Sequence, residues 1–254
     1  MAPPHIIAIA NQKGGVGKTT TAVNLSASLA AAERPTLLVD LDPQANASSG
    51  VGVHRGDVEL TVYDALIGAA TLDQVMRDTP IDQLKVVPSS SDLVGVEYEL
   101  LDENRGTHLR RVLESEAAQR FDFVVLDSPP SLGVLTMNAL AAADRVIVPL
   151  QPEYYALEGI TALMGTIDRI KETLNPKLDI EGIVITMWDP RNKLAHEVAS
   201  EVRRHYHVFE SIIPRNVRLS EAPSHGLPAL LYDVSCKGAQ GYLSLAREVI
   251  EAHA

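Results

Sequence analysis

Apolar residues along this chain follow two rhythms. Short runs dominated by apolar residues occupy 6–10, 36–41, 84–87, 121–126, 145–150, 180–186 and 208–213. Runs this short and this rich in branched side chains predict strands buried on both faces. Between them, apolar positions recur every three or four residues over 18–32, 61–67, 91–101, 107–118, 132–143, 156–174, 193–206 and 237–252, the spacing of amphipathic helices. Strand and helix patterns alternate throughout, which predicts an α/β fold with a mainly parallel central sheet and helices on both faces. No long linker, repeat or low-complexity segment interrupts it, so 1–254 reads as a single domain. The stretch 52–83 is the least regular and is expected to be a mobile excursion. The first strand begins near residue 5, which leaves no room for a helix-turn-helix domain ahead of it.

Composition narrows the picture. Hydrophobic residues make up 46% of 254, enough for a large core, while aromatics are only 4%, so that core is aliphatic. One cysteine, Cys236, excludes a disulfide framework and any cysteine-rich metal or iron–sulfur site within one chain. No apolar run reaches the ~18 residues of a membrane span, and the first ten residues lack a signal-peptide pattern. A cytoplasmic protein is expected. The net charge of −11 argues against wrapping nucleic acid with the whole surface, but leaves room for a local basic patch.

Directly after the first apolar run stands Lys13-Gly14-Gly15-Val16-Gly17-Lys18-Thr19-Thr20. Three glycines let backbone N–H groups turn inward around phosphate oxygens. Lys18 is placed to reach the β- and γ-phosphates, the Thr19 hydroxyl to hold Mg²⁺, and the helix starting there to add its N-terminal partial charge. A bare glycine turn does not need Gly-Lys-Thr-Thr opening a helix. A dinucleotide turn needs a third glycine where Thr20 stands. The ordinary phosphate-loop pattern has glycine six residues before Lys18, where this chain has Gln12, and a second cation, Lys13, stands at the loop entrance.

Two further runs end in carboxylates. Leu38-Val39-Asp40-Leu41-Asp42-Pro43 puts Asp40 and Asp42 on one side of a strand, with Asp42 at its exit. There Asp42 either orients an attacking or magnesium-bound water or caps the turn before Pro43. Phe123-Val124-Val125-Leu126-Asp127 has the form of the second nucleotide motif, whose carboxylate supports Mg²⁺ through water or Thr19, unless Asp127 merely opens a turn. Pro129 and Pro130 stiffen the loop that follows. Between 189 and 219 lie six basic side chains (Arg191, Lys193, Arg203, Arg204, Arg215, Arg218) against four acids, a local excess of two in an acidic chain. This is either a solvated helix face or a patch for nucleic-acid phosphates.

With 152–159 (Pro-Glu-Tyr-Tyr-Ala-Leu-Glu-Gly) and 213–224 (Ile-Pro-Arg-Asn-Val-Arg-Leu-Ser-Glu-Ala-Pro-Ser), these motifs make the chain resemble the ParA/Soj partitioning ATPases of the deviant Walker A class, which includes MinD. The likeness extends over nearly the whole chain and implies a P-loop NTPase-like fold and slow, Mg²⁺-dependent ATP hydrolysis. It implies catalytic roles for Lys13, Lys18 and Asp42, with Lys13 crossing to the nucleotide of a partner subunit in an ATP-dependent homodimer. Nucleotide contacts are implied for 13–20, Pro214 and Asn216, and metal contacts for Thr19, Asp42 and Asp127. Gly14 matches a position where a side chain blocks dimer approach. Arg191 and Arg218 match arginines that bind DNA without sequence preference. A ParB/Spo0J-type centromere-binding partner, nucleoid association and no membrane contact complete the expectation. The alternative, a MinD-like membrane-cycling ATPase, calls for a basic amphipathic terminal helix, whereas 246–254 is short and acidic.

Overall fold

The seven apolar runs form strands, and a two-residue edge strand joins them. A computed structural model describes residues 3–100 and 105–253. The strands are β1 (His5–Ile9), β2 (Thr36–Asp40), β3 (Arg77–Asp78), β4 (Leu84–Val87), β5 (Phe123–Asp127), β6 (Arg145–Leu150), β7 (Asp179–Trp188) and β8 (Val208–Pro214). They make one sheet in the order β3-β4-β2-β5-β1-β6-β7-β8. Every pairing is parallel except β3 with β4 at the edge.

Alternation along each strand splits the core into two layers. Ala8, Leu37, Val39, Val124 and Val146 point to one face, under helices Val134–Ala142, Ala156–Thr173 and Lys193–His205. Ile7, Ile9, Leu38, Val125 and Ile147 point to the other, under helices Lys18–Ala31 and Lys237–Ala252. Covered on both sides, the strands have no polar face, which is why they read as continuous apolar runs.

Some boundaries differ from expectation. The 107–118 helix is a shorter α-helix, His108–Leu113, followed by a separate 3₁₀ turn, Ala118–Arg120, that delays β5 until Phe123. The 91–101 segment is a 3₁₀ turn, Ser91–Gly95, running into Val96–Glu99; residue 101 lies outside the described residues. Ser90 starts this turn by accepting the Asp92 N–H. The stretch 52–83 is not an excursion from the core. It holds helices Val62–Leu66 and Leu72–Val75 and strand β3, and buries Val62, Leu66, Leu72 and Val75.

The topology gathers the candidate residues. Register pairs Ile9 with Asp127 and Asp40 with Asp127, so the C-terminal ends of β1, β2 and β5 lie side by side. Ligands of open parallel sheets bind at such strand exits.

Candidate nucleotide site

The glycine loop is held in shape by contacts within the chain. Gly15 and Gly17 have φ of 74° and 90°, left-handed values that a side chain adopts at a cost. Asn11 fixes the entrance: its amide donates to Pro149 O at 2.8 Å and its carbonyl accepts the Lys13 N–H at 2.9 Å. Thr186, on β7, fixes the far side by donating to Val16 O at 2.8 Å. Val16 is buried and anchors the loop. Lys18, only 7% exposed, donates to Lys13 O at 3.1 Å across the loop. Burial pushes its pKa down, against the pull of Asp127 and Asp42.

Facing Lys18 is an excess of negative charge. Asp127 is fully buried, and neither of its carboxylate oxygens has a hydrogen-bond partner. Burial and then the neighbouring Asp40 raise its pKa well above the usual carboxylate range; the Thr19 hydroxyl and Lys18 pull back only in part. Asp40, also fully buried, is pushed up to about 6 by burial, although Ser48 and the Asp42 N–H stabilise its ionised form. Orphaned buried carboxylate oxygens beside a hydroxyl and an ammonium suit a cation that keeps part of its water shell, as Mg²⁺ does. Among the described residues no group of three or more His, Cys, Asp or Glu could hold a metal alone. Asp42, at the β2 exit, accepts the Gln44 N–H at 2.9 Å, so it opens the turn before Pro43 and faces the loop as well.

A cavity of about 130 Å³ adjoins the loop. Gly17, Thr20, Pro214 and Asn216 line it together with Met187, Leu219 and Tyr242. Tyr242, buried in the last helix, lies 3.1 Å from the Thr21 hydroxyl, and burial pushes its phenol up. Met187 sits at φ 50°, an uncommon value for a side-chain-bearing residue. Thr186, Met187, Leu219 and Tyr242 escaped the sequence reading. Thr186, Met187 and Tyr242 come from segments that no motif marks, and Leu219, although inside the 213–224 run, carries no polar group to single it out.

The outer cations are occupied by their own chain. Lys13 stands at the loop mouth with its ammonium on Glu153, beside the exposed rings of Tyr154 and Tyr155. Gly14 is open: an added Cβ there meets no heavy atom within 4 Å. Arg191 forms a two-pronged pair with Asp189, at 3.0 and 2.8 Å, and holds that carboxyl down at about 2. Arg218 pairs with Glu221 at 2.7 Å and Asp233 at 3.4 Å and lies 5.9 Å from the Tyr232 ring centre. The Arg215 N–H donates to Trp188 O at 3.1 Å, which brings the β8 exit that leads to Arg218 beside the turn carrying Arg191.

Comparison with known proteins places this geometry. A family model described as an AAA domain matches residues 4–180. The chromosome partitioning protein ParA of Myxococcus xanthus is 54% identical over 250 residues, covering 97% of this chain and 88% of that one. The sporulation initiation inhibitor protein Soj of Bacillus subtilis is 50% identical, covering 96% and 97%. Among solved structures, cobyrinic acid a,c-diamide synthase from Mycobacterium smegmatis with bound ATP analog and magnesium superposes with a TM-score of 0.88 at 34% identity, covering 98% and 95%. The cell division ATPase MinD of Pyrococcus furiosus superposes with a TM-score of 0.82 at 28% identity, covering 98% and 99%.

Proposed function

The chain belongs to the ParA/Soj family of chromosome-partitioning ATPases, and on that premise we propose that ATP switches it from a free subunit to a DNA-loaded homodimer. It is an ATP-hydrolysing P-loop enzyme, and its cofactors are ATP and Mg²⁺. The observation that carries the reading is the fully buried Asp127 carboxylate, its oxygens without hydrogen-bond partners, set within electrostatic reach of a buried Lys18, with a second lysine at the loop mouth.

The loop N–H groups and Lys18 bind the phosphates, and Pro214 and Asn216 bound the base pocket. Thr19 would hold the metal directly, Asp127 would support it through water or through Thr19, and Asp42 would hold a magnesium-bound water. When bound, the metal supplies charge neutralisation at the β- and γ-phosphate oxygens. Asp42 accepts a hydrogen bond from the attacking water and so orients it toward the γ-phosphate.

The triphosphate brings more charge than Lys18 and one Mg²⁺ neutralise. Lys13 of a second copy supplies the remainder, and does so only when two loops face each other. Dimerisation is thereby linked to nucleotide state. Charge-assisted contacts are worth about 1.5–3 kcal/mol each, so losing two on hydrolysis shifts association by roughly two to four decades. Two basic patches held rigidly share effective concentration on DNA, where one alone is weak. The cycle then ends when a ParB/Spo0J-type partner, engaging through a basic peptide, stimulates hydrolysis. The reading puts the protein on the nucleoid, in the cytoplasm. Among the described residues no helix is long and apolar enough to cross a membrane.

Mass in solution tests this. With Asp42→Ala blocking hydrolysis, ATP is expected to double the mass and ADP to leave it unchanged. Lys13→Ala and Gly14→Val are each expected to bind ATP yet stay single subunits, since residue 14 has free space within its own chain. Equal mass on either nucleotide rules the switch out. A gel shift paired with liposome sedimentation separates DNA loading from the membrane-cycling alternative.

A further inference from the structure

The backbone of Asp42 is pinned on both sides. Its N–H donates to Asp40 Oδ1 at 3.1 Å, and its carbonyl accepts from Ser89 Oγ at 2.6 Å. Asp40 Oδ2 accepts both the N–H and the hydroxyl of Ser48, at 2.8 and 2.7 Å. Ser48 Oγ in turn accepts the Ser89 N–H at 3.1 Å. Five hydrogen bonds thus close a ring through Asp40, Ser48, Ser89 and Asp42, drawn from β2, the short helix Asn46–Gly50 and the loop after β4.

Ring members Asp40, Ser48 and Ser89 are all buried to 2% exposure or less. Sealing a carboxylate and two hydroxyls away from water is a poor way to stabilise a corner, because apolar side chains of equal volume do it at least as well. What the ring does that apolar packing cannot is fix the direction of one backbone segment through both its donor and its acceptor. That segment carries Asp42, whose carboxylate accepts the Gln44 N–H and lies within electrostatic reach of Lys18.

We propose that Ser48 and Ser89 are positioning residues for ATP hydrolysis, which with Asp40 hold Asp42 in line with the attacking water. The proposal rests on the reading of Asp42 as the water-orienting group. Ser89 reaches Asp42 directly; Ser48 reaches it through Asp40 and through Ser89. Neither touches nucleotide, so both act on turnover and not on affinity.

Ser89→Ala removes the bond to the Asp42 carbonyl, and Ser48→Ala removes two, its own to Asp40 Oδ2 and the one that holds the Ser89 N–H; the N–H bonds of Asp42 and Ser48 to Asp40 stay in place. The matched control is Thr36→Ala, which removes a fully buried hydroxyl bonded to Arg34 O at 2.8 Å at the opposite end of β2. Thermal melting, ATP affinity by calorimetry and steady-state hydrolysis are measured on all three. Displacing a reacting group by ~1 Å costs about 10²-fold, so both serine variants are expected to lose about 10- to 100-fold in kcat with ATP affinity unchanged. Thr36→Ala is expected to melt lower and keep its kcat. Serine variants that turn over at the wild-type rate, or lose no more than Thr36→Ala, overturn the proposal. Asp42→Ala in the same series separates the two readings. If it is inactive while the serine variants are active, only the positioning role falls. If it is active, both fall.

Discussion

Asp127 carries a charge that the folded chain resists, and this gives the site a measurable signature. Its pKa is raised by burial and by Asp40, from an unfolded value of 3.8. A carboxyl whose folded pKa lies above its unfolded one is bound more tightly to its proton in the native state. The cost of ionising it is therefore absent below pH 3.8 and grows as the pH climbs through the raised value. Asp127→Asn removes that cost while keeping the size of the side chain. Without nucleotide, this variant is expected to melt higher than the parent near neutral pH, with the difference shrinking as the pH falls toward the unfolded value. It is also expected to lose the extra thermal protection that Mg²⁺ adds to ATP. Scanning calorimetry across this range checks both, and a lower melting temperature near neutral pH contradicts the assignment. Stability is sacrificed here for a site that is electrostatically complete only when occupied. The serine ring around Asp42 is a second case of polar residues buried for placement.

At the scale of elements, the sequence exposed what is contiguous. Strands buried on both faces are mostly apolar runs, and β4 and β6 begin and end where those runs do. The phosphate loop, Asp42 and Asp127 were legible because phosphate and magnesium chemistry demands particular residues in one stretch of chain. The 52–83 segment was misread although its signals were present: Thr61 with Asp64 and Thr71 with Gln74 each form a capping box. Helix Val62–Leu66 falls within the 61–67 pattern, but Leu72–Val75, four residues long, is too short to show a period, so only its cap gives it away. The base pocket was half legible, because Leu219 and Tyr242 reach it only through tertiary packing. That packing hinges on Gly238, where an added Cβ would stand 2.6 Å from Leu219 Cγ. Gly238→Ala is expected to push Leu219 aside, at an overpacking cost of about 1–3 kcal/mol in urea unfolding. The displaced side chain should also weaken ATP binding in calorimetry, since Leu219 lines the pocket. Unchanged affinity in a destabilised variant would show that Leu219 does not shape the base site.

For the whole molecule the open tension is charge: a chain of −11 is read as binding DNA. Arg191 and Arg218 are exposed yet matched by Asp189, Glu221 and Asp233, so each already sits on a carboxylate where a phosphate would go. Exposed ion pairs are individually weak and are screened by salt. On the proposed reading, a closely spaced row of DNA phosphates, with release of condensed counterions, would displace them when two subunits bind together. A single subunit, offering half the cations against the repulsion of its remaining surface, would not. The acids would then sharpen the dependence of DNA binding on the dimer. Arg218→Ala is expected to weaken binding equally on unrelated sequences and to lower the slope of log K against log salt by about 1 for each phosphate left without its arginine. Asp189→Asn is expected to do the reverse: tighter binding, a steeper slope, and measurable binding with ADP where the parent has none. Fluorescence anisotropy on two unrelated duplexes over a salt series reads all of these. If Asp189→Asn leaves both affinity and slope unchanged while Arg218→Ala lowers them, the carboxylates are bystanders, and the nucleotide dependence must come from dimer geometry alone.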